Sequence, residues 1–259
     1  MDDKKVYQQR LRQFSSMKTI QILSAISYSE SYSTITEICE ITGLSIATVH
    51  RILQELVECG FVVKDMEQKR YRAGFEAWSF AMRLKQTDYL HEAAKEEMTR
   101  LNDLSLETIH IIALEGEQGV YIDKLGAKNS IGLRSQIGRR IPLFCTGGGK
   151  AILAQQTEQW VEGYLKRVPL EKYTENTIVT KEELLKELEV IRVRGYSVDN
   201  REHHSDIICV AAPVFDNRGE VICSIGISAP DYRFSLDAAL GYANEVMKSA
   251  AIVTARLQK

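Results

Sequence analysis

Two short apolar-striped segments meet across Gly43-Leu44-Ser45, and that junction restricts the N-terminal region more tightly than any other stretch. Before it, ITEICEITGL sets Ile35, Ile38 and Ile41 on one face of a helix that Gly43 closes, since a left-handed terminal residue favours glycine. After it, Ser45 is a natural N-cap for SIATVHRILQELVECG, whose Val49, Ile52, Leu53 and Leu56 make a buried stripe that ends at Gly60. Helices joined by a glycine-containing turn of about three or four residues form a helix-turn-helix, which sends the second helix N-terminus first into the DNA major groove. A preceding helix is predicted from Met17, Ile20, Leu23 and Ile26, with Ser15 and Ser16 available as caps.

Beyond Gly60, FVVKDMEQKRYRAG reads as a β run, a polar turn and a second run carrying Lys69, Arg70 and Arg72. A hairpin with a basic arm beside a recognition helix is a wing, which lies along the phosphate backbone or reaches the minor groove. A plain three-helix bundle with a hairpin is the alternative, and the turn and the basic arm together favour the winged form. Behind Ser45, the exposed start of the recognition helix would present Ile46, Ala47, Thr48, His50 and Arg51, with Gln54 further along. Thr48 can bond a phosphate or meet a thymine methyl, and Arg51 can grip a phosphate or a guanine edge. A solvated surface is the alternative for Arg51 and still more for His50. Lys69, Arg70 and Arg72 suit phosphates, with an affinity that falls as salt rises.

A chain of 259 residues, 44% apolar and 26% charged, fits an ordinary globular protein of two domains. Boundaries are expected at 1–74 for the winged helix-turn-helix, 75–90 for a linker helix and 91–259 for a second domain. Thr87-Asp88 offers a cap after the linker FEAWSFAMRLKQ, whose Trp78, Phe80, Met82 and Leu84 put apolar surface on several sides and so predict dimerisation. The second domain opens with the helix YLHEAAKEEMTRLNDL, then strands ETIHIIALEG and GVYIDKLG and an extended IGLRSQIG. Helices near 157–166 and 181–194, an extended YSVDN, a hairpin around Asp216-Asn217-Arg218-Gly219 and a closing helix from Ser235 to Leu257 complete an α+β plan.

The net charge of −2 gives no hint of nucleic acid, although an acidic second domain can mask a small basic face. Five cysteines without a C-x-x-C pair argue against a disulfide framework or zinc ribbon. No bilayer-length apolar run and no signal-peptide core are present, so a cytoplasmic protein is expected, without membrane association. The stretch CTGGGKAILA looks like a P-loop, but Phe144 stands where the first glycine belongs and Ala151 where Ser or Thr would reach magnesium. What is left is a glycine-rich entry to a helix at Thr146, Gly147 and Gly148, whose backbone N–H groups can receive an organic carboxylate. No cofactor and no metal are expected. His203-His204-x-Asp206 invites a metal, yet adjacent histidines on an extended segment point to opposite faces, which favours a solvated loop. Cys145 beside a helix start raises a nucleophile hypothesis through a lowered thiol pKa, with no histidine or acid partner legible.

These stretches together resemble the IclR family of bacterial transcriptional regulators over nearly the whole chain. The segments that carry the resemblance are SIATVHRILQELVECGFV, IGRRIPLFCTGGGKAILA and RGYSVDNREHHSDIICVAAPVFDNRGEVICSIGIS. Within the family, ETIHIIAL, IGRR, NTIVT and RFS are most similar to the subgroup that senses sugar-acid catabolites such as 2-keto-3-deoxygluconate. The resemblance implies a GAF-like C-terminal effector domain, a homodimer or tetramer, and control of a neighbouring catabolic operon. It also implies an effector pocket in which Asp199 accepts bonds from ligand hydroxyls, Cys209, Gly226 and Ser228 form walls, and Leu133 and Ile207 supply apolar lining. For Cys209, a plain core position is an equal alternative. The family loop usually reads T-A-x-G-K, so Gly147 here removes a methyl group from the pocket floor, and Glu202 and His203 stand where an acidic pair is common.

The expected protein is therefore a repressor that binds an inverted-repeat operator in double-stranded DNA. Its control would come from a small carboxylate, a sugar acid or keto acid. Two rivals remain: an enzyme acting on an organic acid through Cys145, and a protein-interaction module whose winged helix binds no DNA.

Overall fold

The computed structural model of the chain describes residues 17–27, 29, 32–85, 89–129, 133 and 135–258. They fall into two units, Met1–Asp88 and Tyr89–Lys259. The expected caps at Ser15, Ser16 and Thr87-Asp88 lie outside the described residues.

The first unit runs α1 (Lys18–Ser27), α2 (Ile35–Thr42), α3 (Ile46–Glu58), β1 (Val62–Asp65), β2 (Arg70–Ala73) and α4 (Phe75–Lys85). A capping box starts α2: the Thr34 hydroxyl accepts the Glu37 N–H at 3.2 Å and the Glu37 carboxylate accepts the Thr34 N–H at 2.7 Å. Gly43, at φ 69°, closes α2 by donating its N–H to the Cys39 carbonyl. The chain then turns within Leu44 and Ser45, whose hydroxyl accepts the Thr48 N–H and starts α3. Val49, Ile52, Leu53 and Leu56 are all buried on Ile22, Ala25, Ile26, Ile38, Val62 and Tyr71.

The buried side of α1 differs from expectation. Ile22, Ala25 and Ile26 face the core, whereas Ile20 is exposed and Leu23 is half-buried. Isoleucines and leucines cover a broad arc of this short helix, so the packing of α2, α3 and β2 selects which part is covered. The wing also gains an unforeseen rung, because Ser33 and Tyr71 exchange backbone hydrogen bonds at 2.7 and 2.8 Å. On α4, Phe75, Trp78, Phe80 and Met82 are exposed, and the Leu84 side chain lies outside the described residues.

The second unit begins with α5 (Tyr89–Ser105), followed by β3 (Thr108–Glu115), β4 (Gln118–Leu125), β5 (Arg140–Pro142), α6 (Gly147–Leu153), α7 (Glu158–Arg167) and α8 (Lys181–Arg194). Strands β6 (Ser197–Asn200), β7 (Ile207–Phe215) and β8 (Val221–Pro230) and helix α9 (Leu236–Leu257) complete it. The six strands form one antiparallel sheet in the order β5-β4-β3-β8-β7-β6. The extended segment expected over IGLRSQIG is not a strand at its described positions, since Ile137 and Gly138 form a turn and pairing begins at Arg140.

The two-residue period of a strand divides this sheet. Ile109, Ile111, Val210, Ala212, Val214, Ile225 and Ile227 join Met98 and Leu101 of α5 and Val246 and Val253 of α9 in one core. On the other face, α6 packs on β7 and β8, and a separate cluster of Leu143, Phe144, Cys145, Leu153, Tyr164, Leu184 and Leu188 binds α6, α7 and α8 together.

Candidate functional site

Strand register builds the floor of a cavity on the α6 side of the sheet. Asp199 pairs with Cys209, Cys209 with Ser228 and Ser228 with Thr108, a row across β6, β7, β8 and β3. The adjacent row holds Lys124, His110, Gly226 and Ala211. Over these rows lies a cavity of about 460 Å³, in the range of small-molecule sites. Leu133, Thr146, Gly147, Gly148, Asp199, Ile207, Cys209, Gly226 and Ser228 all line it. His110, Tyr121, Ser135, Arg139, His203, His204 and Tyr232 line it as well, and sequence reasoning assigned none of them to a pocket.

The glycine loop works by close approach. The Thr146 hydroxyl donates to the Pro142 carbonyl at 2.6 Å instead of capping α6. A Cβ on Gly147 would stand 2.9 Å from Cys209 Cβ. The methyl group missing from this loop also lets α6 approach β7, at a position that lines the cavity.

Asp199 is 3% exposed and accepts the Glu202 N–H at 2.7 Å. Burial, reinforced by the Glu202 carboxylate, pushes its pKa up to about 7. Glu202 is itself raised by burial, with Lys150, 1% exposed, opposing that rise: its ammonium lies 2.5 Å from Glu202 and 3.7 Å from Glu187. Thr177 and Thr174 donate to the Glu202 and Arg201 carbonyls at 2.6 Å each, and Arg201 sits at φ 60°. The segment after β6 is thus a clamped bend, not an extended strand.

The bend carries the histidine pair, and His204, Ser205 and Asp206 are exposed there, as a solvated loop expects. His203 is half-buried, both imidazoles line the cavity, and their rings stand 4.2 Å apart instead of on opposite faces. Burial, with the charges of His204 and Arg139, lowers the His203 pKa to about 3. Among the described residues, no cluster of three or more His, Cys, Asp or Glu can hold a metal ion. Cys145 is fully buried, and burial raises its thiol pKa further than Lys150 lowers it, the reverse of an activated nucleophile.

His110 is 2% exposed in the middle of β3, with Nδ1 3.2 Å from the Ser228 hydroxyl and Nε2 2.7 Å from the Ser135 hydroxyl. Burial and the neighbouring Lys124 charge lower its pKa to about 3, so the ring is neutral at ordinary pH. Its signal in the sequence was a histidine within the apolar run of ETIHIIAL; Ser135, in a loop, gave none.

In the first unit, Ser45, Ile46, Ala47, His50, Arg51 and Gln54 are exposed along the start of α3, with Thr48 half-buried. Arg51 reaches Glu55 at 2.5 Å, an exposed pair one helical turn apart. Lys69, Arg70 and Arg72 are exposed on the wing, and the Arg72 Nε donates to the Tyr32 hydroxyl at 2.9 Å.

Two family models match these units: the IclR helix-turn-helix domain over residues 15–66 and the bacterial transcriptional regulator IclR C-terminal domain over residues 82–255. The chain belongs to the IclR family of transcriptional regulators. It is 36% identical over 223 residues to the HTH-type transcriptional regulator KdgR of Dickeya chrysanthemi, covering 86% of this chain and 73% of that protein. To KdgR of Escherichia coli it is 34% identical over 243 residues, covering 94% and 92%. The crystal structure of the Thermotoga maritima IclR superposes with a TM-score of 0.78 at 31% identity, over 95% of this chain and 99% of that one. As an IclR regulator of the KdgR-like subgroup, the protein is a DNA-binding regulator with a C-terminal effector domain, and it is not an enzyme. No described helix is long and apolar enough to cross a membrane.

Proposed function

We propose that this IclR regulator represses a cytoplasmic operon for carbohydrate or sugar-acid breakdown, and that a small organic acid in the 460 Å³ cavity changes its affinity for an inverted-repeat operator. The observation that carries this reading is the convergence of Gly147, Gly148, Asp199, Cys209 and Ser228 on one cavity. The carboxylate of the ligand meets the N–H groups at Gly147 and Gly148, and its hydroxyls meet Asp199 and Ser228. Residues 46–54 of α3 read bases, while Lys69, Arg70 and Arg72 hold phosphates. The exposed Phe75, Trp78, Phe80 and Met82 of α4, in the linker at 75–90, favour a homodimer or a tetramer built from dimers.

Control follows from linkage. An acid that favours one placement of two recognition helices, about 34 Å or a multiple apart along the DNA, shifts operator affinity by its differential binding, typically about 1 to 3 kcal/mol. Selection of bound sequences from a random duplex pool tests the DNA part, with wild type beside a Thr48→Ala/Arg51→Ala variant. The expected result is an enriched inverted repeat that the variant loses. Equal enrichment by both proteins would remove α3 as the reader.

A further inference from the structure

We propose that Tyr32 and Arg72 form a two-residue clamp for one backbone phosphate of the bound DNA, which gives the loop before α2 a direct part in DNA binding. The inference rests on the winged unit being the part that meets DNA, and it adds a contact residue that lies in neither the recognition helix nor the basic arm.

The clamp comes from strand register. Ser33 and Tyr71 exchange backbone hydrogen bonds across an antiparallel bridge, so their neighbours Tyr32 and Arg72 stand opposite each other. Side chains alternate between the two sides of such a pair. Ser33 and Tyr71 are buried, which turns Tyr32 and Arg72 to the outer side, where Arg72 is exposed and Tyr32 half-buried. The Arg72 Nε donates to the Tyr32 hydroxyl at 2.9 Å, and its Nη1 donates to the Ala73 carbonyl at 3.2 Å. The guanidinium carbon lies 5.6 Å from the centre of the Tyr32 ring. Two hydrogen bonds and a cation–π contact thus hold a long side chain in one direction, and less rotamer freedom is left to lose when a ligand binds.

What the pair still offers decides the ligand. A guanidinium carries five N–H donors, and two of them are spent within the protein. The Tyr32 oxygen accepts from Arg72, so its own O–H remains a donor. Among the described residues, the partners of Arg72 include no carboxylate, and its charge is left uncompensated. Arg51 differs, being paired with Glu55 at 2.5 Å. Arg70 differs too: the Glu37 carboxyl, held below its ordinary range chiefly by hydrogen bonds from Thr34, is lowered further by the Arg70 charge. An uncompensated cation with several converging donors matches an anion with several acceptor oxygens. A phosphodiester is such an anion, whereas a base edge in either groove offers at most two adjacent acceptors and no charge.

Titration of the full-length protein into a random-sequence duplex pool over a series of salt concentrations, read by fluorescence anisotropy, tests the clamp without an identified operator. Tyr32→Phe keeps the ring and removes the hydroxyl. It is expected to weaken binding about three- to tenfold, the effect of one hydrogen bond, and to leave the slope of log K against log salt unchanged because no charge is lost. Arg72→Ala should reduce that slope by about 1. The double variant should lose less than the product of the two single losses, since both groups hold the same phosphate. Thermal unfolding reports whether each variant folds. Folded Tyr32→Phe binding as tightly as wild type, or a double variant whose losses simply multiply, would overturn the clamp. A changed base preference of Tyr32→Phe in selection from the same pool would overturn it as well, by placing the hydroxyl on a base. Steep salt dependence of the wild type would in each case leave the DNA-binding reading intact, whereas a wild type that binds no duplex would remove both.

Discussion

At the level of single residues, the cavity dictates how the second unit responds to acid. His110 and His203 both fall to about 3, so between that value and the ordinary histidine range the unfolded chain binds protons that the folded chain refuses. Their contribution is complete above about 6.5 and is lost as pH falls through the window toward 3. Asp199 works in the opposite sense: raised to about 7, it binds a proton in the folded state first, and its contribution is lost as pH rises from about 4 to 7. Two histidines oppose two raised carboxyls, Asp199 and Glu202, and the histidines' own part is a decrease in stability from pH 7 to pH 4, read by thermal unfolding. In Asp199→Asn the slope should shift toward a steeper decrease, because one opposing group is gone; an identical slope would mean that Asp199 titrates normally. None of these shifts was legible in the sequence, since burial and charge proximity exist only after β3, β6 and the bend at 201–204 are assembled.

At the level of elements, the loop before α6 and the helix itself are restricted from two directions. A Cβ on Gly149 would lie 2.6 Å from both the Cα and the carbonyl oxygen of Leu143, and backbone atoms cannot yield as a flexible side chain does. Gly149→Ala is expected to cost at least ~1–3 kcal/mol, the usual range for overpacking, measured by denaturant unfolding. Gly147→Ala meets Cys209 Cβ at 2.9 Å, an equally fixed atom but a smaller overlap than at Gly149, and should destabilise as well, by less. Lys150→Met strands the buried Glu202 carboxylate and should cost about 3–5 kcal/mol, most of it recovered when Glu202→Gln is added. A single variant as stable as wild type would show that Glu202 is already neutral. Local patterning marked α2, α3 and their turn correctly because caps and a narrow apolar stripe both point to one answer. It misplaced the face of α1, where Ile20 and Ile22 compete, and carried the extended segment through Ile137 and Gly138, which form a turn before pairing begins at Arg140.

For the whole molecule, DNA affinity and assembly are the measurable consequences. If Arg70 and Arg72 each neutralise one phosphate, Arg70→Ala/Arg72→Ala should reduce the slope of log K against log salt by about 2 without changing the preferred sequence. Arg51→Ala should instead relax sequence preference, as read from competition between operator variants. Trp78→Glu/Phe80→Glu should shift the mass distribution in sedimentation toward monomer at a given concentration, and an unchanged distribution would take α4 out of the interface.

By itself, the sequence determined the helix-turn-helix, the basic wing, the α+β second domain and the family, because these rest on spacing, caps and motifs that neighbouring residues carry. It also marked Gly147, Asp199, Cys209 and Ser228, which sit in recognisable segments. Only the tertiary structure decided that His110, Ser135 and His203 join them, that Lys150 serves Glu202, and that Cys145 is buried and inert. The physical reason is that chemistry at a cavity depends on which strands become neighbours, how far groups are withdrawn from water and which charges they then face. None of those quantities is a property of adjacent residues.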